Sequence, residues 1–243
     1  MQLNYIANAS TPSSSGRTIP VIDPSDGQVF DEIQRSNAQD IDAAVHAARQ
    51  CFDAVWCKVS AAERGRLLMK LSVKVAEHAD ELAAIEQRDC GKPTKQAKAD
   101  ALALVRYFEY YAGACDKLHG ETIPYQDGYS VLTWREPHGV TGHIIPWNYP
   151  MQIFGRSVGG ALAAGNVSVV KPAEDACLSV LRVAQLAAEV GFPPGAINLV
   201  LGYGHEVGDA LARHPGIDHI SFTGSPKVGT LIAQAAAERH CPV

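Results

Sequence analysis

WREPHGVTGHIIPWNYPMQIFGRSVGGALAAG, residues 134–165, holds a buried strand, an abrupt turn and an apolar helix in immediate succession. Val140 to Ile145 is a short apolar run with β-branched residues, set between Pro137-His138-Gly139 and Pro146, and it reads as a central strand covered on both faces. Two prolines within Pro146-Trp147-Asn148-Tyr149-Pro150 remove ladder donors and fix φ, so the strand stops there. Phe154, Val158, Ala161 and Leu162 follow at helical spacing, and Gly159-Gly160 permits a close backbone approach. In open α/β sheets, ligands bind where a strand ends and a helix begins, which points first to the turn around Asn148.

Outward from this stretch the pattern repeats. Strands at 140–145, 167–171, 196–201 and 217–223 alternate with helices at about 149–163, 177–190, 204–213 and 225–238. Alternation at this spacing predicts an α/β fold, a doubly wound parallel sheet with right-handed crossovers, and Pro242-Val243 reads as the start of a further strand. Toward the N-terminus, Ser36-Asn37-Ala38-Gln39 reads as a capping box before a helix whose inner face is Ile41, Val45, Ala48, Phe52 and Val55. Ser60-Ala61-Ala62-Glu63 opens a second helix carrying Leu67, Leu68, Leu71 and Val75. A third starts at Ala79-Asp80 and ends at Gly91, with Pro93 just beyond, and a fourth runs from Thr94 to about Ala112 with Leu102, Val105 and Phe108 inward. These N-terminal helices are expected to pack on the sheet. Asp127-Gly128 between two alternating runs signals a β-hairpin over about 119–139, and residues 1–20, with Thr11-Pro12-Ser13-Ser14-Ser15-Gly16, read as a flexible arm.

Composition sets limits on partners. Hydrophobic residues make up 47% and charged residues 19% of the 243, an ordinary globular balance. A net charge of -5 without a basic run argues against nucleic acid. The most apolar stretch, Val158 to Val170, is broken by glycine and polar residues and is too short to span a bilayer, and the first residues do not form a signal peptide, so a cytoplasmic protein is expected. Six cysteines without a C-x-x-C pair read as free thiols, and the scattered histidines offer no metal-ligand spacing.

Four motifs in order, Pro146-Trp147-Asn148-Tyr149-Pro150, Lys171-Pro172-Ala173-Glu174, Gly191-Phe192-Pro193-Pro194-Gly195 and Phe222-Thr223-Gly224-Ser225, resemble the NAD(P)-dependent aldehyde dehydrogenase superfamily. The resemblance covers about Ile22 to Val243. It implies a Rossmann-like cofactor domain made of 21–118 and 140–243, with the 119–139 hairpin as an oligomerisation arm; on sequence alone a local edge hairpin is the simpler reading. It further implies NAD, with NADP less favoured, as cofactor, a small-molecule aldehyde as substrate, and a homo-oligomer. Asn148 is then the catalytic residue, an oxyanion donor, although asparagine is also an ordinary turn residue. Ile145, Pro146, Trp147, Lys171, Glu174, Gly204, Phe222, Gly224, Ser225 and Gly229 are the implied cofactor-binding residues. A lysine and a carboxylate at the carboxyl edge of a parallel sheet suit ribose hydroxyls, and a strand-to-helix glycine turn suits a pyrophosphate. On spacing alone the lysine is equally a solvated loop residue, and the turn a plain helix cap.

Two departures stand out. In the resembled family the general-base Glu lies in a Leu-Glu-Leu-Gly-Gly segment directly after the position of Pro242-Val243, and the nucleophilic Cys lies further on; the chain holds neither, so the chain by itself is expected to be inactive. The family also usually carries a bulky residue followed by Lys or Arg where Arg156-Ser157 stands, a displacement of the base by one position or about 100° around a helix. Cys177 and Cys241 read as packing residues and His143 as a core histidine. The expected function is the cofactor-binding part of an NAD-dependent aldehyde dehydrogenase; the alternative is a non-catalytic dinucleotide-binding or assembly subunit.

Overall fold

A computed structural model describes residues 1–243. The elements are β1 (Asn4–Ile6), β2 (Ala9–Thr11), β3 (Thr18–Ile22), β4 (Val29–Gln34), α1 (Ala38–Ala54), α2 (Ala61–Glu77), α3 (Ala79–Cys90), α4 (Thr94–Ala114), β5 (Thr122–Ile123), β6 (Val131–Leu132), β7 (Val140–Ile145), α5 (Pro150–Ala163), β8 (Val167–Pro172), α6 (Leu178–Glu189), β9 (Ile197–Leu199), α7 (Asp209–Arg213), β10 (His219–Phe222) and α8 (Pro226–Ala237). A π-type turn, Gly204–Gly208, leads into α7.

The main sheet has six strands in the order β10-β7-β8-β9-β1-β2, with β3-β4 and β5-β6 as separate hairpins. β7, β8, β9 and β10 are parallel, as the alternation predicts, because each crossover carries a helix long enough to return the chain to the same edge. Every residue of β8 and all but Ile144 of β7 are buried, which is why both are mainly apolar rather than alternating, with Thr141, His143, Ser168 and Lys171 as buried polar exceptions.

Residues 1–20 correct the sequence reading. They are not a loose arm: β1 pairs antiparallel with β9, β2 pairs with β1, and Tyr5 and Ile6 enter the core. The turn between them is Ala7-Asn8, both with positive φ, the geometry of a two-residue hairpin turn. Polar residues that look like linker composition bind the body of the protein. Asn4 Oδ1 accepts from the Leu201 and Ser36 donors, Asn8 Nδ2 donates to the Phe192 carbonyl, and Ser13 Oγ donates to Asp40.

The helices carry smaller corrections. Asn37 is the N-cap of α1 and Asp40 closes the box, one residue later than expected; the box at Ser60 and Glu63 forms as read. Val55 is exposed and Cys51 takes the inner position at the end of α1. In α4 the buried stripe is Ala97, Asp100, Ala101, Leu104 and Phe108, with Leu102 turned outward. The N-terminal helices do not all lie on the sheet. α1 packs against β7, β8 and β9, whereas α2 and α4 pack on each other and on α5, and α3 packs on α4 and α6. Gly155 and Gly159 permit that third layer, since a Cβ at Gly155 would stand 2.7 Å from Leu104 Cδ1 and one at Gly159 3.0 Å from Tyr111 Cδ2. No helix is long and apolar enough to cross a membrane.

Candidate cofactor and oxyanion site

From β7 the chain moves outward through β8 and β9 and then returns to place β10 on the other side of β7. The reversal makes the carboxyl ends of β7 and β10 a topological switch point. There, Ile144 lies opposite Phe222, and the Thr223 N–H donates to the Ile144 carbonyl at 3.2 Å. The turn Pro146–Tyr149 leaves this edge, and Trp147, Asn148 and Tyr149 are all exposed while Ile145 is buried beneath them. Pro150, at the first position of α5, removes a donor that the helix start would leave unpaired anyway.

The neighbouring strand end carries the charged pair. Lys171, near the end of β8, is buried, and its ammonium donates to Glu174 Oε2 at 2.6 Å. Gly204 lies beside the ammonium, where a Cβ would sit 3.9 Å from Lys171 Nζ. Glu174 and Trp147 share a cleft of about 360 Å³ with Ile22, Asp89, Cys90 and Ala176 among its walls. Burial pushes the Asp89 carboxyl up to about 7, although the Leu178 N–H donates to it at 2.8 Å.

On the third strand end, the Phe222 ring packs against Gly224 and Gly229, where Cβ atoms would approach it to 2.6 and 3.3 Å. Ser225 is the N-cap of α8 and accepts from the Val228 N–H at 3.4 Å, with Pro226 at the first helical position. The N–H groups of Ser225 and Lys227 donate to no protein acceptor, so this exposed helix start offers donors and a positive dipole end to an anion. These residues belong to a surface separate from the walls of the 360 Å³ cleft; the turn around Trp147 and the β10 edge are joined through β7. The groups present suit a dinucleotide: a lysine–carboxylate pair at Lys171–Glu174, a close backbone approach at Gly204 and unengaged amides at the start of α8.

A support under the turn is absent from the sequence reading. Gly91 ends α3 in the left-handed conformation and Lys92 follows, its ammonium hydrogen-bonded to Glu86 and Asp100, both fully buried. The same ammonium stands 4.6 Å from the centroid of the Tyr149 ring, and Asp100 Oδ1 also accepts from Gln152 Nε2 at 2.7 Å. Cys90 Sγ donates to the Trp147 carbonyl at 3.4 Å. The end of α3 thus braces the residues on either side of Asn148. The signal in the sequence is a pair of carboxylates, Glu86 and Asp100, on the buried faces of α3 and α4, which a cation between them stabilises.

His143 is buried in β7; its Nε2 is 2.8 Å from Thr141 Oγ1, its Nδ1 has no partner, and burial pushes its pKa down to about 3. Cys177 is fully buried, and burial raises its thiol far above the usual range. Cys241 Sγ contacts the Ile217 carbonyl. None of the three touches the switch-point edge.

Residues 11–243 match the aldehyde dehydrogenase family. The chain is 45% identical over 238 residues to aldehyde dehydrogenase [NAD(P)+] 2 of Saccharomyces cerevisiae, covering 97% of this chain and 47% of that protein. To human retinal dehydrogenase 2 it is 47% identical over 239 residues, covering 97% and 46%. A Burkholderia cenocepacia protein assigned to the aldehyde dehydrogenases superposes with a TM-score of 0.98 at 70% identity, over 99% of this chain and 51% of that one. The NAD+ complex of aldehyde dehydrogenase from Bacillus cereus superposes with a TM-score of 0.96 at 40% identity, over 98% and 49%. The chain spans about half the length of the curated relatives it matches. In sequence and in fold, it belongs to the aldehyde dehydrogenase family.

Proposed function

We propose that this chain forms the cofactor-binding part of an NAD-dependent aldehyde dehydrogenase that oxidises an aldehyde to a carboxylic acid. The observation that carries the reading is the juxtaposition of the Lys171–Glu174 pair and the Trp147-Asn148 turn at the neighbouring ends of β8 and β7, beside the β7–β10 switch point. Lys171 donates to, and Glu174 accepts from, ribose hydroxyls; the amides at the start of α8 hold phosphate oxygens. Asn148 donates its side-chain N–H to the oxygen that gains charge when a nucleophile adds to the aldehyde. NAD supplies the hydride acceptor. In this reading 21–118 and 140–243 form the cofactor domain. The 119–139 hairpin, whose Tyr125, Tyr129, Leu132 and Trp134 are exposed, pairs with a second subunit.

Titration of the chain with NAD, followed by gel filtration, tests this reading against an assembly subunit. Saturable NAD binding that is lost in Lys171→Ala supports it; oligomers indifferent to NAD support the alternative.

Cofactor choice follows from Glu174. NAD presents neutral hydroxyls there, whereas NADP brings a phosphate, and two unit charges about 4 Å apart repel by about 4 kcal/mol at an effective dielectric of 20. Salt and solvent reduce this to about 1.5–3 kcal/mol, a tenfold to hundredfold preference for NAD. Lys171 attracts the phosphate and keeps the preference partial. In calorimetric titrations Glu174→Gln should narrow the gap by tightening NADP; a substitution that weakens both cofactors alike removes Glu174 as the discriminator.

A further inference from the structure

Beneath the Asn148 turn lies a charged group to which neither the cofactor nor the oxyanion assignment gives a role. Glu86 on α3 and Asp100 on α4 are fully buried, and the Lys92 ammonium, on a side chain only 10% exposed, lies between them. Such a buried ion group is weak evidence for net stability, because withdrawing its charges from water costs about as much as their attraction returns. Its role is better sought in what it holds in place.

Three lines of contact run from this region to the turn. The ammonium stands 4.6 Å from the Tyr149 ring centroid, within the range of a cation–π attraction. Asp100 Oδ1 accepts from Gln152 Nε2 at 2.7 Å, which ties down the first turn of α5, where the Ile153 N–H donates to the Tyr149 carbonyl at 2.9 Å. Two positions before Lys92, Cys90 Sγ donates to the Trp147 carbonyl at 3.4 Å. Trp147, Tyr149 and Gln152 are thus anchored from below. Asn148, between them, is exposed, and its backbone N–H and carbonyl meet no backbone partner. Its orientation therefore follows from the anchors of its neighbours.

Lys92 is the node of these contacts. Asp100 accepts from Lys92, Gln96 and Gln152, and Glu86 accepts from Lys92 and Ser179, whereas Lys92 meets both carboxylates and the Tyr149 ring. Gly91, left-handed at the end of α3, turns the chain so that the next residue reaches back to these acids. Without the ammonium the two carboxylates repel each other across α3 and α4, Asp100 shifts with Gln152 attached to it, and the Tyr149 ring loses its charge partner.

Resting on the dehydrogenase reading above and on Asn148 as its oxyanion donor, we propose that Lys92 is a positioning residue for the reaction, which holds the Asn148 turn in the geometry that meets the developing oxyanion and so acts on kcat through Asn148. Small misplacements of a reacting geometry are costly, so removing Lys92 should lower the chemical rate about tenfold, a part of the 10² to 10³ carried by the whole donor.

The test is a double-mutant cycle in the complete enzyme carrying this sequence, read as the single-turnover rate of NADH formation from C1-deuterated benzaldehyde. Glu86→Gln serves as the reference background, so that one buried carboxylate is removed along with its cation. Adding Lys92→Met should lower the rate about tenfold and leave the Kd for NAD within about twofold, and Lys92→Arg in its place should restore part of the rate. With Asn148→Ala also present, the same Lys92→Met change should cost less than about twofold, because the donor it orients is gone; a merely structural role costs the same in both backgrounds. Tyr149→Leu leaves the ion group intact and decides the case if the Lys92→Met protein does not fold, since its loss should likewise shrink in Asn148→Ala. Rates unchanged by these substitutions, or equal losses with and without Asn148, overturn the proposal. If the wild-type enzyme forms no NADH from benzaldehyde or acetaldehyde, the dehydrogenase reading fails and the inference with it; if it does so and Asn148→Ala is as fast as wild type, the inference falls while the dehydrogenase activity stands.

Discussion

Lys92→Met should destabilise the protein by about 3–5 kcal/mol, the usual loss when one partner of a buried ion pair is removed and the other charge stays behind. Here two carboxylates stay behind. Glu86 and Asp100 are fully buried and share the Lys92 ammonium, with Ser179 Oγ and two glutamine side chains completing their hydrogen bonds. Burial already holds the Glu86 carboxyl above its ordinary value of 4.5 despite that ammonium. Removing the cation raises it further, so the folded variant binds a proton that the unfolded chain releases. A carboxyl with a raised folded pKa loses stability as pH rises above the unfolded value, so the deficit should be smallest near pH 5 and grow toward pH 8. Urea unfolding at both pH values reads the effect, and Lys92→Met with Glu86→Gln should recover part of it. A deficit below about 0.5 kcal/mol at pH 8, typical of a surface substitution, would show that the ammonium does not stabilise these carboxylates.

The parts of the fold that the sequence made legible are those where a single physical pattern dominates. Val140–Ile145 and Val167–Pro172 are buried along nearly their whole length, and an apolar run between turn residues announces that directly. Gly91 and Ser60 mark helix ends through local chemistry, which needs no tertiary partner. The N-terminal strands are illegible for the opposite reason. Each is three residues long, and their anchors are Asn4, Asn8 and Ser13, polar side chains whose partners lie as far as 197 residues away in sequence. Composition reads such residues as linker. In α4, the pattern Leu102–Val105 competes with Ala101–Leu104, and the buried Asp100 tips the helix toward the latter; a carboxylate reads as outward unless its cation is known. The same blindness hides Lys92. The pair Lys171 and Glu174, in contrast, lies only three positions apart and at a strand end, so spacing alone brings the two side chains together.

Asn148→Ala in a complete enzyme carrying this sequence should lower kcat by about 10² to 10³, the loss expected for one oxyanion donor, while the Kd for NAD changes little. In the proposed role the donor meets a charge that exists only after the nucleophile has added, so the effect is confined to kcat. In the ground state the aldehyde oxygen is neutral, and Asn148 is one exposed turn residue among several. Its effectiveness depends on holding one orientation. Pro146 and Pro150 restrict the backbone on either side, the Trp147 carbonyl accepts from Cys90, and the Tyr149 ring lies over the Lys92 ammonium. These contacts fix the turn before substrate arrives, so little reorganisation is left for the reaction step. Asn148→Asp is the sharper control, since it keeps the size and replaces the N–H donor by a negative charge; it should cost at least as much as alanine. Single-turnover NADH formation with protiated and C1-deuterated aldehyde isolates the chemical steps. An unchanged rate in Asn148→Ala, measured where the isotope effect shows hydride transfer to be limiting, removes Asn148 from the oxyanion site.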